Sequence, residues 1–221
     1  MLNRFLFITV LFLFFSCGNE KVLQLPEIQN ADITEVLDVS PAYIFYDETK
    51  QDSVELNRKN LIISTNWLVN VDKRLTLEQA LPSIIKLQEK KRNATMHKNE
   101  KAKNYYTCND TSIKNLGFID FTNIYYVDSF KSINLDSINQ FNELVFTKTK
   151  TSLITNNQEI VKNDFNDLNL LYDYLKENDK SEGVIFLNFK KDLNFQEYIT
   201  FKKKLQSFKN LNFSNYEIIN D

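Results

Sequence analysis

The hydrophobic pattern gives the chain three parts of different character. It opens with a run of eleven residues, Phe5 to Phe15, apolar except for Thr9, with Arg4 in front and Ser16-Cys17 behind. Polar residues dominate from Gly18, and apolar ones return at Ile33, Val36, Leu37 and Val39, ahead of Pro41. Short apolar stretches then alternate with turn chemistry. Tyr43 to Tyr46, Leu61 to Ile63 and Trp67 to Val71 read as strands, with Asp47 to Lys50 as a polar turn. Thr76, with Gln79 three residues on, forms a capping box and opens a helix. Leu77, Ala80, Leu81, Ile84 and Leu87 recur at helical spacing up to about Arg92. Pro82 lies in its second turn, where the missing N–H predicts a local bend.

A polar, mostly basic stretch follows at 93–104, and then Tyr105 to Cys108, Leu116 to Phe121 and Ile124 to Val127 read as short strands. The apolar pattern thins between Asp128 and Asn142, which marks a boundary. Beyond it, Leu144 to Phe146 is a strand. Ser152 to Ile154 and Glu159 to Val161 bracket a hairpin turn at Asn156-Asn157. Asn163 or Asp164 can cap a helix through Phe165, Leu168, Leu171, Tyr172 and Leu175. Val184 to Phe189 is a strong strand. Asn194 with Glu197 opens a last helix through Tyr198, Phe201, Leu205 and Phe208, and Leu211 to Ile219 closes as a strand.

Residues 67–88 and 185–206 align without gaps at an offset of 118. Asn70 meets Asn188, Lys73 meets Lys191, Leu75 meets Leu193, and Lys86-Leu87-Gln88 meets Lys204-Leu205-Gln206. Each segment is a buried strand, a basic turn, an N-cap and an amphipathic helix. The expected class is therefore α+β, two small sheet-plus-helix modules consistent with a diverged internal duplication. Ile84-Ile85 facing Lys202-Lys203 argues the other way, for chance likeness. The expected division is a signal peptide at 1–16, a lipidated Cys and tether at 17–40, a first module at 41–128, a linker at 129–142 and a second module at 143–221. The order of elements in 143–221, with the stretch VIFLNFKKDLNFQEYITFKKKL, resembles the periplasmic domain of the ExbD and TolR biopolymer-transport family. That family carries an acidic residue in its membrane helix, and Phe5 to Phe15 has none, so the resemblance implies a binding-module fold and no proton-coupled energy transduction.

A run of eleven residues is too short for a helix to cross a ~30 Å hydrocarbon core. With Arg4 before the run and a small residue, Ser16, before Cys17, the stretch resembles a lipobox, although Phe14 stands where that pattern prefers Leu. The resemblance implies diacylglyceryl transfer to the Cys17 thiol, cleavage before it and acylation of the new amino terminus. Gly18 after the Cys, where an Asp would retain the protein in the inner membrane, implies the outer membrane. A single Glu20 where a surface-export signal would want an acidic cluster implies the periplasmic face.

Processing would leave 205 residues, enough to fold. A net charge of −2 gives no drive toward nucleic acid. Three Gly in the chain leave no phosphate-cradling loop, so no nucleotide is expected. No cofactor or metal is expected either: His97 is the sole histidine, and Asp164 to Asp167 lacks the glycine and glutamate of a calcium loop. Expected partners are the membrane, through Cys17, and an envelope protein. Lys90 to Lys103 is a cationic stretch suited to lipid phosphates or an acidic partner, or simply to solvent. Cys108, His97 and Asp110 supply the residue types of a thiol-dependent hydrolase or transferase, without a glycine-rich oxyanion loop. The competing reading makes Cys108 a small core residue at the end of the Tyr105-Tyr106 run.

Overall fold

The computed structural model describes residues 21–133, 141–157, 159–165, 167–177 and 183–221. The protein is α+β and contains two six-stranded mixed sheets. In the first, β1 (Glu27–Ile28), β2 (Val39–Tyr46), β3 (Val54–Asn57), β4 (Asn66–Val71), β5 (Asn104–Asp110) and β6 (Asn115–Asp120) lie in the order β1-β5-β4-β2-β3, with β6 on β5. Helix α1 (Leu77–Arg92) connects β4 to β5, which run parallel. Its Thr76–Gln79 capping box is formed, and Leu77, Ala80, Leu81, Ile84 and Leu87 are buried. Pro41 is accommodated because β3 reaches only Tyr43 to Tyr46, so at Pro41 strand β2 is paired with β4 alone.

The second sheet runs β10-β9-β8-β11-β12-β7. It is built from β7 (Tyr125–Val127), β8 (Phe141–Phe146), β9 (Thr151–Asn157), β10 (Glu159–Phe165), β11 (Val184–Lys190) and β12 (Phe213–Asn220). Helix α2 (Leu168–Glu177) precedes β11, and α3 (Phe195–Leu205), with its own capping box at Asn194 and Glu197, links β11 to β12. Strand order β5-β4-β2-β3 in the first sheet recurs as β12-β11-β8-β9 in the second, with the same parallel and antiparallel relations. The offset-118 echo therefore marks equivalent strand–turn–helix units. What the second module adds is β10 and α2.

The two units meet through their turns. Thr76 and Asn194, equivalent in the echo, form an antiparallel bridge. Around it the Leu77 N–H donates to the Leu193 carbonyl (2.8 Å) and the Phe195 N–H to Leu75 (2.7 Å). Further out, Glu78 N–H donates to Lys191 (2.9 Å) and Gln196 N–H to Lys73 (3.2 Å). Each pair of bonds exchanges under the same offset, the hallmark of an isologous two-fold contact, here within one chain. One hydrophobic cluster runs through the junction, from Trp67, Leu77 and Tyr106 to Phe146, Phe189, Phe195 and Tyr198. A smaller cluster of Ile133, Phe186 and Ile218, flanked by Phe130 and Phe141, covers part of the second sheet's other face, so part of the expected linker is packed.

Four expectations shift. Leu61 to Ile63 is a loop, and the strand beside β2 is Val54–Asn57, whose Val54 and Leu56 pack against the core in alternation. Asn156 and Asn157 belong to β9; the ladder closes at Asn157–Glu159, with residue 158 outside those described. Asn163 and Asp164 lie in β10, and α2 starts three residues later than Phe165. Asp167 caps it by accepting the Asn169 N–H (2.8 Å). The expected tether is built into the body from Lys21 onward, because Pro26 and Ile28 bury and backbone bonds hold residues 24–28 to the first sheet.

The shared core makes a testable claim about cooperativity. Trp67 fluorescence, local to the first module, and far-UV circular dichroism should give the same urea midpoint in the full chain. Phe195→Ala in the second module should lower the unfolding free energy read by both probes by about 3–5 kcal/mol, as deletion of a buried ring does. Two separated transitions would show that the modules unfold independently.

Candidate functional site

A chain of enclosed polar groups lies at the module junction. Tyr106 (β5) is stacked on Phe121 at 3.8 Å between ring centroids and meets Phe195 edge-on at 5.1 Å. Its hydroxyl lies 2.5 Å from that of Tyr126 (β7), which in turn lies 3.2 Å from Tyr198 (α3). The Tyr198 hydroxyl donates to Glu217 of β12 at 2.7 Å, and Lys202 donates to the other oxygen of that fully buried carboxylate. Three phenols, a carboxylate and an ammonium thus form one hydrogen-bonded chain from the first sheet to the second. Burial, reinforced by the negative charge on Glu217, holds all three phenol pKa values above their ordinary 10. At neutral pH these phenols are donors and cannot serve as bases. A cleft of about 250 Å³ beside Leu77, Leu81 and Ile85 of α1 reaches this chain at Tyr126.

A larger cleft, about 540 Å³, opens at the carboxyl ends of β8, β11 and β12. Ligands in α/β sheets favour that end of parallel strands. Its cations are already engaged: Lys191 with Asp221 (2.7 Å) and Glu78 (3.3 Å), Lys148 with Asp192 (3.2 Å), and Lys190 with Asn220 Oδ1 (2.9 Å) and the Asp221 carbonyl. The paired rim gives no net attraction for an anion. A third cleft, about 470 Å³, lies between β1 and α3, lined by Ile28, Thr111, Thr200 and Lys203.

The sequence-derived triad is not assembled. Cys108 is fully buried in the middle of β5, opposite Gly117 of β6. Burial, aided by the charge on Asp110, pushes its thiol up to about 12, so it carries no nucleophilic thiolate at neutral pH. His97 is exposed in the loop after α1, with a left-handed backbone (φ 56°). The Asp110 carboxylate is turned to Ser112, accepting from its hydroxyl (2.6 Å) and N–H (2.9 Å), and to the Ala31 N–H (2.6 Å). The Ser112 hydroxyl is the main reason its pKa falls to about 2. Cys17 lies outside the described residues. Among those described, no group of three His, Cys, Asp or Glu is placed to hold a metal ion.

The cationic stretch Lys90 to Lys103 is partly consumed by the fold. Lys91 turns inward and donates to the Thr65 carbonyl (3.0 Å), the Lys103 carbonyl (2.8 Å) and Asn104 Oδ1 (3.1 Å), with its ammonium 5.0 Å over the Trp67 ring. Burial pulls its pKa down to about 8. Lys98 pairs with Glu100 and Lys103 with Asp120. Sequence reasoning missed the tyrosine–glutamate chain altogether. A local signal existed for Tyr198, on the buried face of a capped helix, but none for Tyr126 or Glu217. Compared with known protein families, with curated proteins and with solved structures, the chain finds no match.

Two predictions follow from these environments. Native protein should react with a bulky maleimide no faster than it unfolds, and Cys108→Ala should cost about 1 kcal/mol, as small core truncations do; rapid labelling would mean that the thiol is open. The second concerns pH. Above about pH 10 the unfolded chain loses protons from its phenols and thiol, while the folded chain keeps those of Tyr106, Tyr126, Tyr198 and Cys108. The unfolded state then binds fewer protons, and stability falls with rising pH by about 1.4 kcal/mol per group per pH unit. Lys91 opposes this between its folded value of about 8 and the ordinary lysine value of 10.5, where the unfolded chain binds the extra proton. Four groups outweigh one, so the urea midpoint should drop steeply above pH 10, and Tyr198→Phe should make the drop shallower. A midpoint independent of pH from 9 to 11 would contradict these environments.

Proposed function

We propose that the protein is a lipid-anchored lipoprotein of the bacterial envelope, held through Cys17 in the outer membrane on its periplasmic face, and that it works as a binding or assembly module. The observation that carries this reading is the run Phe5 to Phe15 followed by Ser16-Cys17. Its length suits a cleaved signal and not a permanent span. The position of the body supports it. Lys21, where the described chain begins, is tied to Asp47 (2.7 Å) and to Glu55 on the edge strand β3. Four residue steps from Cys17 reach at most about 14 Å, so an anchored chain would carry its folded body close to the leaflet. The likeness of residues 143–221 to the ExbD and TolR periplasmic domain enters only as a fold suited to binding. The thiol-dependent hydrolase or transferase finds no support in the geometry around Cys108 and His97.

In a bacterial host, Cys17→Ser should abolish metabolic palmitate labelling and move the protein out of the membrane fraction. Labelling that persists in this variant would overturn the lipoprotein reading.

A further inference from the structure

The two modules differ most at the carboxyl ends of their central strands. In the second module β11 and β12 stay paired to their ends, Lys190 opposite Asn220, with the Lys191 N–H donating to the Asn220 carbonyl (2.9 Å). The equivalent strands of the first module, β4 and β5, pair only from Trp67–Asn104 to Val69–Tyr106 and then separate. Residues 24–28 lie in the gap. Lys73, the counterpart of Lys191, donates instead to the Gln24 carbonyl (2.8 Å), Asn109 donates to Pro26 (2.8 Å), and Thr111 to Ile28 (3.0 Å). Pro26, which has no N–H to satisfy, is buried, as is Ile28. Gln196, at the start of α3, grips Glu27 at both ends of its backbone, accepting its N–H (2.7 Å) and donating to its carbonyl (2.9 Å).

Gly117, on β6 across β5 from the gap, leaves room for the Ile28 side chain and for Ala31 beyond the segment. A Cβ there would stand 2.5 Å from Ala31 Cβ and 3.0 Å from Ile28 Cδ1, so the missing side chain is what lets the strand lie flat against β5 and β6. The segment is tied by these backbone bonds, by the Gln24 N–H to Asp72 (3.2 Å) and by the Glu27–Lys73 ion pair (2.7 Å), but over a short span. Its ladder is two residues long, and Glu27 and the flanking Gln24 and Gln29 are exposed. The second module supplies the alternative state of the same framework, with its two central strands closed on each other.

We propose that the gap between β4 and β5 is a binding slot for an extended peptide strand, occupied in cis by residues 24–28 and open to exchange with a partner's strand of the same chemistry. That chemistry is a parallel strand with a large aliphatic residue at the Ile28 position and no N–H required two residues before it. The slot does not depend on the lipid anchor, and its test uses unlipidated protein, so the outcome is independent of the lipoprotein reading.

The test uses the chain from residue 17 onward carrying Cys17→Ser, and a labelled peptide of residues 21–32 as probe. Against the wild-type segment the cis strand competes at a millimolar effective concentration, so little peptide should bind. Ile28→Asp, which expels the cis strand, should bind the wild-type peptide saturably and one to one. Adding Gly117→Val should weaken that binding at least tenfold, and a peptide carrying Ile28→Asp should not bind. A natively folded Ile28→Asp chain that ignores the peptide overturns the slot, as does binding indifferent to Gly117→Val. Should Ile28→Asp fail to fold, hydrogen exchange of the unaltered chain decides. The Lys73, Asn109 and Thr111 amides should exchange through an opening that leaves Lys191 protected, and exchange of all four only on global unfolding would refute the proposal.

Discussion

The structure depends on one antiparallel bridge between two turns. Thr76 and Asn194 each cap a helix, and each also stands at the centre of the contact between modules. The two roles reinforce one another. An N-cap residue has extended backbone, and both caps do, with ψ near 162°. Extended residues can pair as strands do, so two capped turns placed face to face make a ladder without departing from cap geometry. The bonds also solve the helix-end problem. The first N–H groups of a helix have no partner within it, and here those of Leu77, Glu78, Phe195 and Gln196 are accepted by carbonyls of the opposite turn. Neither helix could be completed in this way without its counterpart.

Once the turns are fixed, the side chains beneath them must pack as one body. Phe195 follows the second cap directly and is driven against Tyr106 of the first sheet, while Leu77 occupies the equivalent place. The tyrosine chain then fits beside this contact. A phenol buried between apolar rings needs a partner for its hydroxyl, and three hydroxyls in series satisfy one another only if the last meets a strong acceptor. Glu217 is that acceptor, and Lys202 makes its burial tolerable. The chain is best understood as the polar counterpart of the two-fold contact, fixing how the sheets are set against one another. Its members come from four separate elements, so it also reports on whether all of them are in place.

Much of this was legible in the residues. Both capping boxes, the buried faces of α1 and α3, and the strands β4 and β11 follow from local pattern, and the offset-118 alignment pointed to the residues that later proved to touch. That alignment said nothing of contact, because sequence likeness fixes equivalence and not proximity. The failures were of two kinds. Val54–Asn57 is half-buried throughout and too short to stand out, while the more apolar Leu61 to Ile63 leaves Ile62 57% exposed; here pairing with β2 outweighed local hydrophobicity. Residues 24–28 looked like a polar tether because only Pro26 and Ile28 bury, and a two-residue strand has no readable period. Cys108 and Asp110 show the converse limit. Their order in sequence suggested chemistry, but alternation along β5 and the turn at Ser112 set their surroundings.

Repetition also says where to look for what distinguishes this chain. A duplicated fold needs no more than its shared strands, turn and helix, so departures from the repeat are the features that folding alone does not explain. The second module departs by β10 and α2, which extend its sheet and add the buried residues Leu171 and Leu175. That insertion enlarges a core. The first module departs in the opposite sense, by leaving its central strands unzipped and admitting the chain's own amino-terminal segment. The backbone bonds that a closed ladder would make go instead to Gln24, Pro26 and Ile28, and the glycine at position 117 gives up strand propensity for room beside Ala31 and Ile28. The closed arrangement in the other half shows that the framework needs no inserted segment, so the open one is where a binding role has physical reason to reside.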